Sequence, residues 1–314
     1  MSHFAELIDR NHIARGRQRK AANMIMLSLT GLLTVLALVP LFWIIIYVVI
    51  RGGSNINLDF FIHLPRPMGM TGGGVLSAIE GTLVVTFLAA LFAIPPGVLA
   101  AFYAARYPNT PLGIALRFST DVLSGVPSIV VGLFAYSAIV VPMGHYSGLA
   151  GGAALAVIML PTIIRTTEEM LKLVPATLRE AALGLGAPEW KTSLSVLFPA
   201  ASSGIITGFL LALARAAGET APLLMTTLGN ERFDIGQIIR GGLQGHKSVL
   251  TIFWSIVNQP VDSLPLALWK YAQQPYPERV QQAWAVALVL MLFVLIVNVF
   301  TRLWIQNRTR HSKG

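Results

Sequence analysis

The 314-residue sequence contains no cysteine, and only 12% of its residues are charged against 54% hydrophobic. The first absence excludes a disulfide framework, a thiolate nucleophile and any Cys-based metal site. The second excludes an ordinary soluble chain, in which about a quarter of residues carry charge. Disorder is excluded from the other side, because a chain this apolar collapses. The six histidines (3, 12, 63, 145, 246 and 311) are scattered, with no pair at metal-ligand spacing. No Ser/His/Asp arrangement stands out, so no catalytic residue and no metal ligand is assigned. A phosphate-binding loop of the form G-x-x-x-x-G-K-[ST] is also missing. The nearest run, Gly242 to Ser248, has the wrong spacing. No repeat or low-complexity tract is present.

Long apolar runs are what the sequence does have. A membrane-crossing helix needs roughly 20 mainly apolar residues to span ~30 Å of hydrocarbon. Six candidates occur, at about 24–50, 79–105, 122–143, 148–165, 202–228 and 282–302. The expected fold class is therefore an all-α polytopic membrane protein with six transmembrane helices. The net charge of +9 belongs to the edges of these runs, which points to the bilayer and away from nucleic acid. With the N-terminus inside, inner segments hold 15 of the 23 Lys and Arg and outer segments seven, Arg215 lying within a span. That bias predicts both termini in the cytoplasm.

The expected organisation is a basic cytoplasmic tail (1–23), a first span with its outer loop (24–74), a core (75–304) and a second cytoplasmic tail (305–314). Two connecting segments in the core are long. The outer loop, about 229–281, holds a nine-residue apolar run, Val249–Val257, too short to cross the membrane and expected to lie at the interface or on helix ends. The inner loop, about 166–201, holds a short helix predicted between Pro175 and Gly186. Leu178, Ala181, Ala182 and Leu185 fall at i, i+3, i+4 and i+7 and make one small apolar face, flanked by Arg179, Glu180 and Glu189. Such a knob suits a groove on a cytoplasmic partner, and suits equally a helix lying on the membrane surface.

The charges inside the apolar runs are the sharper clue. Arg215 is expected midway along the fifth span, where an unpaired arginine costs at least ~2.5–3.5 kcal/mol. Glu219 follows four residues on, about 40° around a helix, so the two form a pair on one face. An internal packing pair is one reading. Function is the default for intramembrane ionisable residues. Gly218 permits close approach and Pro222 predicts a local break or kink beside the pair. A partly shielded guanidinium offers planar donors that suit an oxyanion such as phosphate, with Glu219 tempering the attraction so that the anion leaves. Arg165, at the end of the fourth span, is either a snorkelling anchor or a second member of that path. Pro95-Pro96 and Pro127 predict breaks in the second and third spans.

Glu180-Ala181-Ala182, Gly186 four residues after Ala182, and Val196-Leu197-Phe198-Pro199 resemble the EAA loop of ABC-importer permeases (EAA, three residues, Gly, nine residues, I-x-L-P), with two apolar exchanges. Arg215 to Leu224 and Leu160 to Pro175 are similar to stretches of phosphate-importer permeases, closer to the PstA type than to the PstC type. The resemblance implies a type I permease fold and a coupling role for Glu180, Ala181, Ala182 and Gly186 against a dimer of ATP-binding subunits. It also implies a second, PstC-type permease, a periplasmic or extracellular phosphate-binding protein and a bacterial cytoplasmic (inner) membrane location. ATP and Mg would be used by the partner ATPase, and this chain would carry no cofactor of its own. An ABC permease for another oxyanion or solute would keep the EAA loop without needing Arg215 beside Glu219. A proton-coupled secondary transporter would use the buried pair as a relay.

Overall fold

The computed structural model describes residues 2–67, 70 and 72–311, with side chains described for residues 19–67, 70, 72–299 and 303. Most of the expected tails, 1–23 and 305–314, therefore lies outside the described side chains. The chain falls into two compact units, Met1–Arg51 and Gly52–Gly314. In the first, α1 (Ser2–Gly53) contains the expected first span. Its stretch Arg19–Gly53 has a mean hydropathy of 2.8 in its most apolar window. Thr30 and Thr34 donate their hydroxyls to the Met26 and Thr30 carbonyls, each at 2.8 Å, so neither needs water.

Among its described residues the second unit consists of helices and the turns that join them, with no strand. In chain order it contains α2 (Leu58–Ile62), α3 (Leu76–Arg106), α4 (Pro111–Gly125), α5 (Ser128–Met143), α6 (Gly148–Lys172) and α7 (Ala176–Gly184). There follow α8 (Glu189–Ala217), α9 (Ala221–Thr226), α10 (Ile235–Gln244), α11 (Val249–Val257), α12 (Leu264–Ala272) and α13 (Pro277–His311). Among the described residues, five helices are long and apolar enough to cross a membrane, or six if the bent pair α4–α5 is one span.

Four of the expected spans change in the structure, each for a local reason. The fourth runs on to Lys172, two turns past Arg165, because Arg165–Glu169 and Lys172–Glu168 are i,i+4 pairs that carry the helix beyond the apolar run. The third begins at Pro111 and turns through 104° at Val126–Pro127, where proline ends one helix and starts the next. The expected break at Pro95-Pro96 is absent, since α3 continues through both prolines, packed along α6. The fifth is not one helix over 202–228: it starts at Glu189, includes a π-helical turn at Ser193–Leu197, and stops at Ala217.

The centre of this unit is α3 against α6. Ala89 and Ala93 of α3 are fully buried with Leu155, Met159 and Ile163 of α6. Lipid gives no hydrophobic drive between spans, so close backbone approach supplies the dispersion energy. Gly152 of α6 lies so near Leu88 that a Cβ there would stand 2.5 Å from the Leu88 Cβ. The outer loop packs on the ends of this pair: the Asp262 carbonyl would meet a Cβ on Gly81 at 2.0 Å, and the Thr82 hydroxyl accepts from the Leu264 amide at 2.8 Å.

Candidate functional site

Two broken spans meet at one place. The turn at Val126–Pro127 ends α4, and Gly218, Glu219 and Thr220 separate α8 from α9. The short α9 packs against α5, and Gly132 makes this possible, since a Cβ there would lie 2.7 Å from the Pro222 Cα. Pro222 sits in the first turn of α9, where its missing N–H costs nothing. Of the break or kink expected beside the pair, the structure shows the break, at Gly218–Thr220 just ahead of the proline.

Arg215 occupies the last turn of α8, a favourable place for a cation at the negative end of the helix dipole. It is not at the middle of a continuous helix, as the apolar run suggested. Its side chain is 56% exposed and lines a small crevice with Ser124, Val126 and Ser128 at the α4–α5 turn, and Ile158 and Pro161 of α6. Glu219 lies beyond the helix end and folds back, its carboxylate 3.8 Å from the Arg215 Nε and its side chain 20% exposed. That separation is an ion pair and not a hydrogen bond.

One turn along the same α4–α6 seam is a second crevice of about 260 Å³, lined by Arg117, Asp121, Arg165, Glu168, Glu169 and Lys172. Arg165 lies 3.6 Å from Asp121 and 3.9 Å from Glu169, two loose pairs on an exposed side chain. Pro161 borders the first crevice and Arg165 the second, about 6 Å apart along α6 at ~1.5 Å per residue. The two arginines nominated from sequence therefore line neighbouring crevices along α6. Sequence reasoning missed the neighbours. Buried Glu168 is held by Arg117 at 2.5 Å and Lys172 at 2.6 Å, and Arg117 also donates to the Ala104 carbonyl at 3.0 Å. Arg117 was counted in a connecting segment, although Thr110 before Pro111 is a helix-start signal and caps α4 through the Gly113 amide.

The predicted inner helix is present as α7. Glu180 and Ala181 are exposed, as are Leu178 and Leu185, while Ala182 is buried. Gly186 adopts φ +83°, and the Gly186 and Ala187 amides donate to the Leu183 and Ala182 carbonyls at 2.9 and 3.1 Å. This is a left-handed helix end, which glycine adopts without strain. Glu189, read from sequence as a polar flank, is the clamp of this region. Its carboxylate accepts from Arg106 at the end of α3 (2.5 Å) and from Arg179 on α7 (2.8 Å).

The outer loop holds its own charges. Asp262, fully buried, has its carboxyl raised to about 6 by burial, with the Lys270 ammonium 3.8 Å away opposing the shift. Buried Arg279 lies over the Tyr271 ring at 4.7 Å and 3.9 Å from Glu231, and donates to the Arg66 carbonyl.

Residues 93–310 match the family described as binding-protein-dependent transport system inner membrane component. The chain is 40% identical over 286 residues to the phosphate transport system permease protein PstA of Yersinia pestis, covering 90% of each chain. It is 36% identical over 284 residues to a probable phosphate transport system permease protein PstA of Methanocaldococcus jannaschii, covering 90% of this chain and 92% of that one. Among solved structures, it is similar to a bacterial ABC transporter involved in import of the acidic polysaccharide alginate (TM-score 0.54, 15% identity, 91% of this chain and 98% of that one). It is likewise similar to the inward-facing MetNI methionine ABC transporter (TM-score 0.53, 18% identity, 74% and 95%). At these identities the two structures speak to the fold alone.

Proposed function

The chain belongs to the family of binding-protein-dependent transport system inner membrane components, and from that premise we propose how its two charged regions serve phosphate import. It is a multi-pass, non-catalytic permease of an ABC importer that associates with other components of such a system. Its likeness to PstA permeases across most of its length makes it the permease subunit of a phosphate importer. The partners of this reading are a dimer of ATP-binding subunits, a PstC-type second permease and an external phosphate-binding protein, in a bacterial inner membrane with both termini cytoplasmic. ATP and Mg act on the partner ATPase.

The observation that carries the transport reading is Arg215 at the junction of two broken spans, paired only at 3.8 Å with Glu219. A tetrahedral oxyanion accepts from several guanidinium N–H groups at once, so it competes well for an arginine whose carboxylate is beyond hydrogen-bond reach. Backbone amides add to this, because the first N–H groups of a helix such as α5 have no intrahelical acceptor. Glu219 repels the anion and takes back the guanidinium when it departs. Arg165 is the next donor along the seam, with Asp121 and Glu169 as the carboxylates the anion displaces. A site with one permanent tight partner would hold the anion and stall.

Exposed α7 is the surface offered to the ATPase, through Glu180, Ala181 and the left-handed end at Gly186, with Ala182 seating the helix. Nucleotide binding and release would move α7, and the Glu189 clamp to Arg106 passes that motion into α3, whose partner α6 carries Arg165. This is alternating access by a two-state bundle that nucleotide biases.

The test is radiolabelled phosphate uptake in vesicles containing the whole complex, with ATP supplied or withheld and sulfate or arsenate as competitor. ATP-dependent uptake that excess sulfate leaves intact is expected. Uptake without the ATPase, or uptake blocked by sulfate as readily as by phosphate, would overturn the reading. Labelling of a cysteine placed at position 184 from the cytoplasmic side only is the matching outcome for orientation.

A further inference from the structure

The segment joining the fifth and sixth spans contains a helical hairpin, α10 and α11, that exposes several large apolar side chains. At nine residues α11 is about 14 Å long, less than half the ~30 Å needed to cross the hydrocarbon. Val249 and Leu250 are 84% and 78% exposed, and Phe253 and Trp254 one turn later are exposed on the same side. Leu243 at the end of α10 is exposed beside them. On another side of α11 Ile252 is buried, and Val257 is buried where the helix ends. Ile252 lies where a Cβ on Gly242 would approach its Cγ1 to 2.5 Å, so α10 and α11 are closely packed.

Both feet of the hairpin are tied to the beginnings of spans. The Ile235 amide, at the start of α10, donates to the Glu80 carboxylate in the first turns of α3 at 2.7 Å. The Gln259 carbonyl, just past α11, accepts from the Gly148 amide at 2.9 Å, and Gly148 is the first residue of α6. The hairpin therefore sits at the level where these spans leave the hydrocarbon. Its acidic groups are confined to its feet: Asp234 caps α10 and Asp262 follows Val261, and between them there is no Asp or Glu, while Arg240, His246 and Lys247 lie at or near the turn. His246 holds φ +52°, and the Lys247 amide donates back to the Gly242 carbonyl at 2.9 Å, which fixes Lys247 two residues ahead of Val249.

We propose that the α10–α11 hairpin is a monotopic membrane anchor. It lays Leu243, Val249, Leu250, Phe253 and Trp254 into the acyl boundary of the leaflet it faces and sets Arg240 and Lys247 against anionic headgroups. An interfacial helix is recognised by an apolar face beside a basic polar one, and tryptophan favours the headgroup level. With carboxylates absent near the turn, an anionic lipid surface is the complementary partner there.

The natural absence of cysteine makes the test direct. Single cysteines replacing exposed Leu250 or Trp254, in the intact transporter that retains ATP-dependent uptake, would carry an environment-sensitive fluorophore in phosphatidylglycerol/phosphatidylcholine vesicles. Lipids brominated on the acyl chain are expected to quench both positions at least about twofold, and aqueous iodide to quench neither. Quenching by iodide would place the face in water and overturn the proposal. Protection from both quenchers would put a protein there, the second permease or the binding protein, and overturn it equally. With the label at 250, the double variant Arg240→Gln/Lys247→Gln is expected to lose the part of the lipid quenching that depends on phosphatidylglycerol. An unchanged signal would remove the headgroup contact from the proposal.

Discussion

The arginines clamped beside α7 and the exposed arginines of the α4–α6 seam are held in opposite ways. Arg106 and Arg179 converge on one Glu189 carboxylate at 2.5 and 2.8 Å, which are charge-assisted hydrogen bonds. Arg215 and Arg165 face their carboxylates at 3.6 to 3.9 Å and lie exposed in crevices. Tight pairs make a stiff joint, and here they tie a small helix to the end of a span. Loose pairs leave guanidinium donors available for exchange. A machine that turns nucleotide binding into anion movement needs both, in separate places. The seam contains its own contrast, because Glu168 is buried and doubly bonded to Arg117 and Lys172 while Asp121 and Glu169 nearby are not.

The comparison breaks most severely at the stiff joint. Ala182→Trp forces a large ring into a buried position beneath α7 and is expected to abolish co-purification of the ATP-binding subunit while the permease still inserts. Recovery of the subunit in normal amount would show that α7 is not its docking surface. Glu189→Ala removes both bonds of the clamp at once. Uptake is expected to fall about tenfold with ATP turnover retained, because each exposed bond contributes only about 0.2–1 kcal/mol to stability and the defect is one of coupling. Equal loss of uptake and turnover would assign Glu189 a different role.

Much of this was legible in the residues. The helix that became α7 and its terminal glycine followed from period and capping, and φ +83° at Gly186 is the reason glycine stands there; of its apolar face, Ala182 is buried and the rest exposed. The break beside Arg215 was announced by Gly218 and Pro222. Other features were hidden for physical reasons. Arg165 ends the apolar run, yet i,i+4 pairs extend the helix to Lys172. The partner of Glu189 at Arg106 lies 83 residues away, beyond the reach of any local pattern. Arg117 looked like a loop residue because α4 is only moderately apolar, and its carboxylate is on another span.

Smaller effects sharpen the difference between packed and exchangeable charge. Asp262 has a folded-state value of about 6, above the usual 3.8, so the folded protein binds more protons than the unfolded chain across that interval. The group therefore adds stability below about pH 4, and that contribution fades as pH rises through 6. Asp262→Asn is expected to remove about 2–3 kcal/mol of this pH dependence, read as a melting temperature in detergent that changes less between pH 4 and pH 8. A variant with the same pH profile as the parent would exclude Asp262 as its source. Gly186→Ala strains only the left-handed helix end, since open space surrounds that position. A loss of about 1 kcal/mol or less in stability and a mild weakening of ATPase binding are expected.

The exchangeable character of Arg215 is the central claim, and phosphate uptake by purified Arg215→Ala complexes in vesicles tests it most directly. Assembly and stability are first matched to the parent, and Arg215→Lys is measured alongside. Uptake in the alanine variant is expected to fall by at least about two orders of magnitude, as for loss of a charge-assisted bidentate contact, with partial recovery in the lysine variant. Uptake at the parent rate by a fully assembled Arg215→Ala complex, with selectivity against sulfate unchanged, would contradict it.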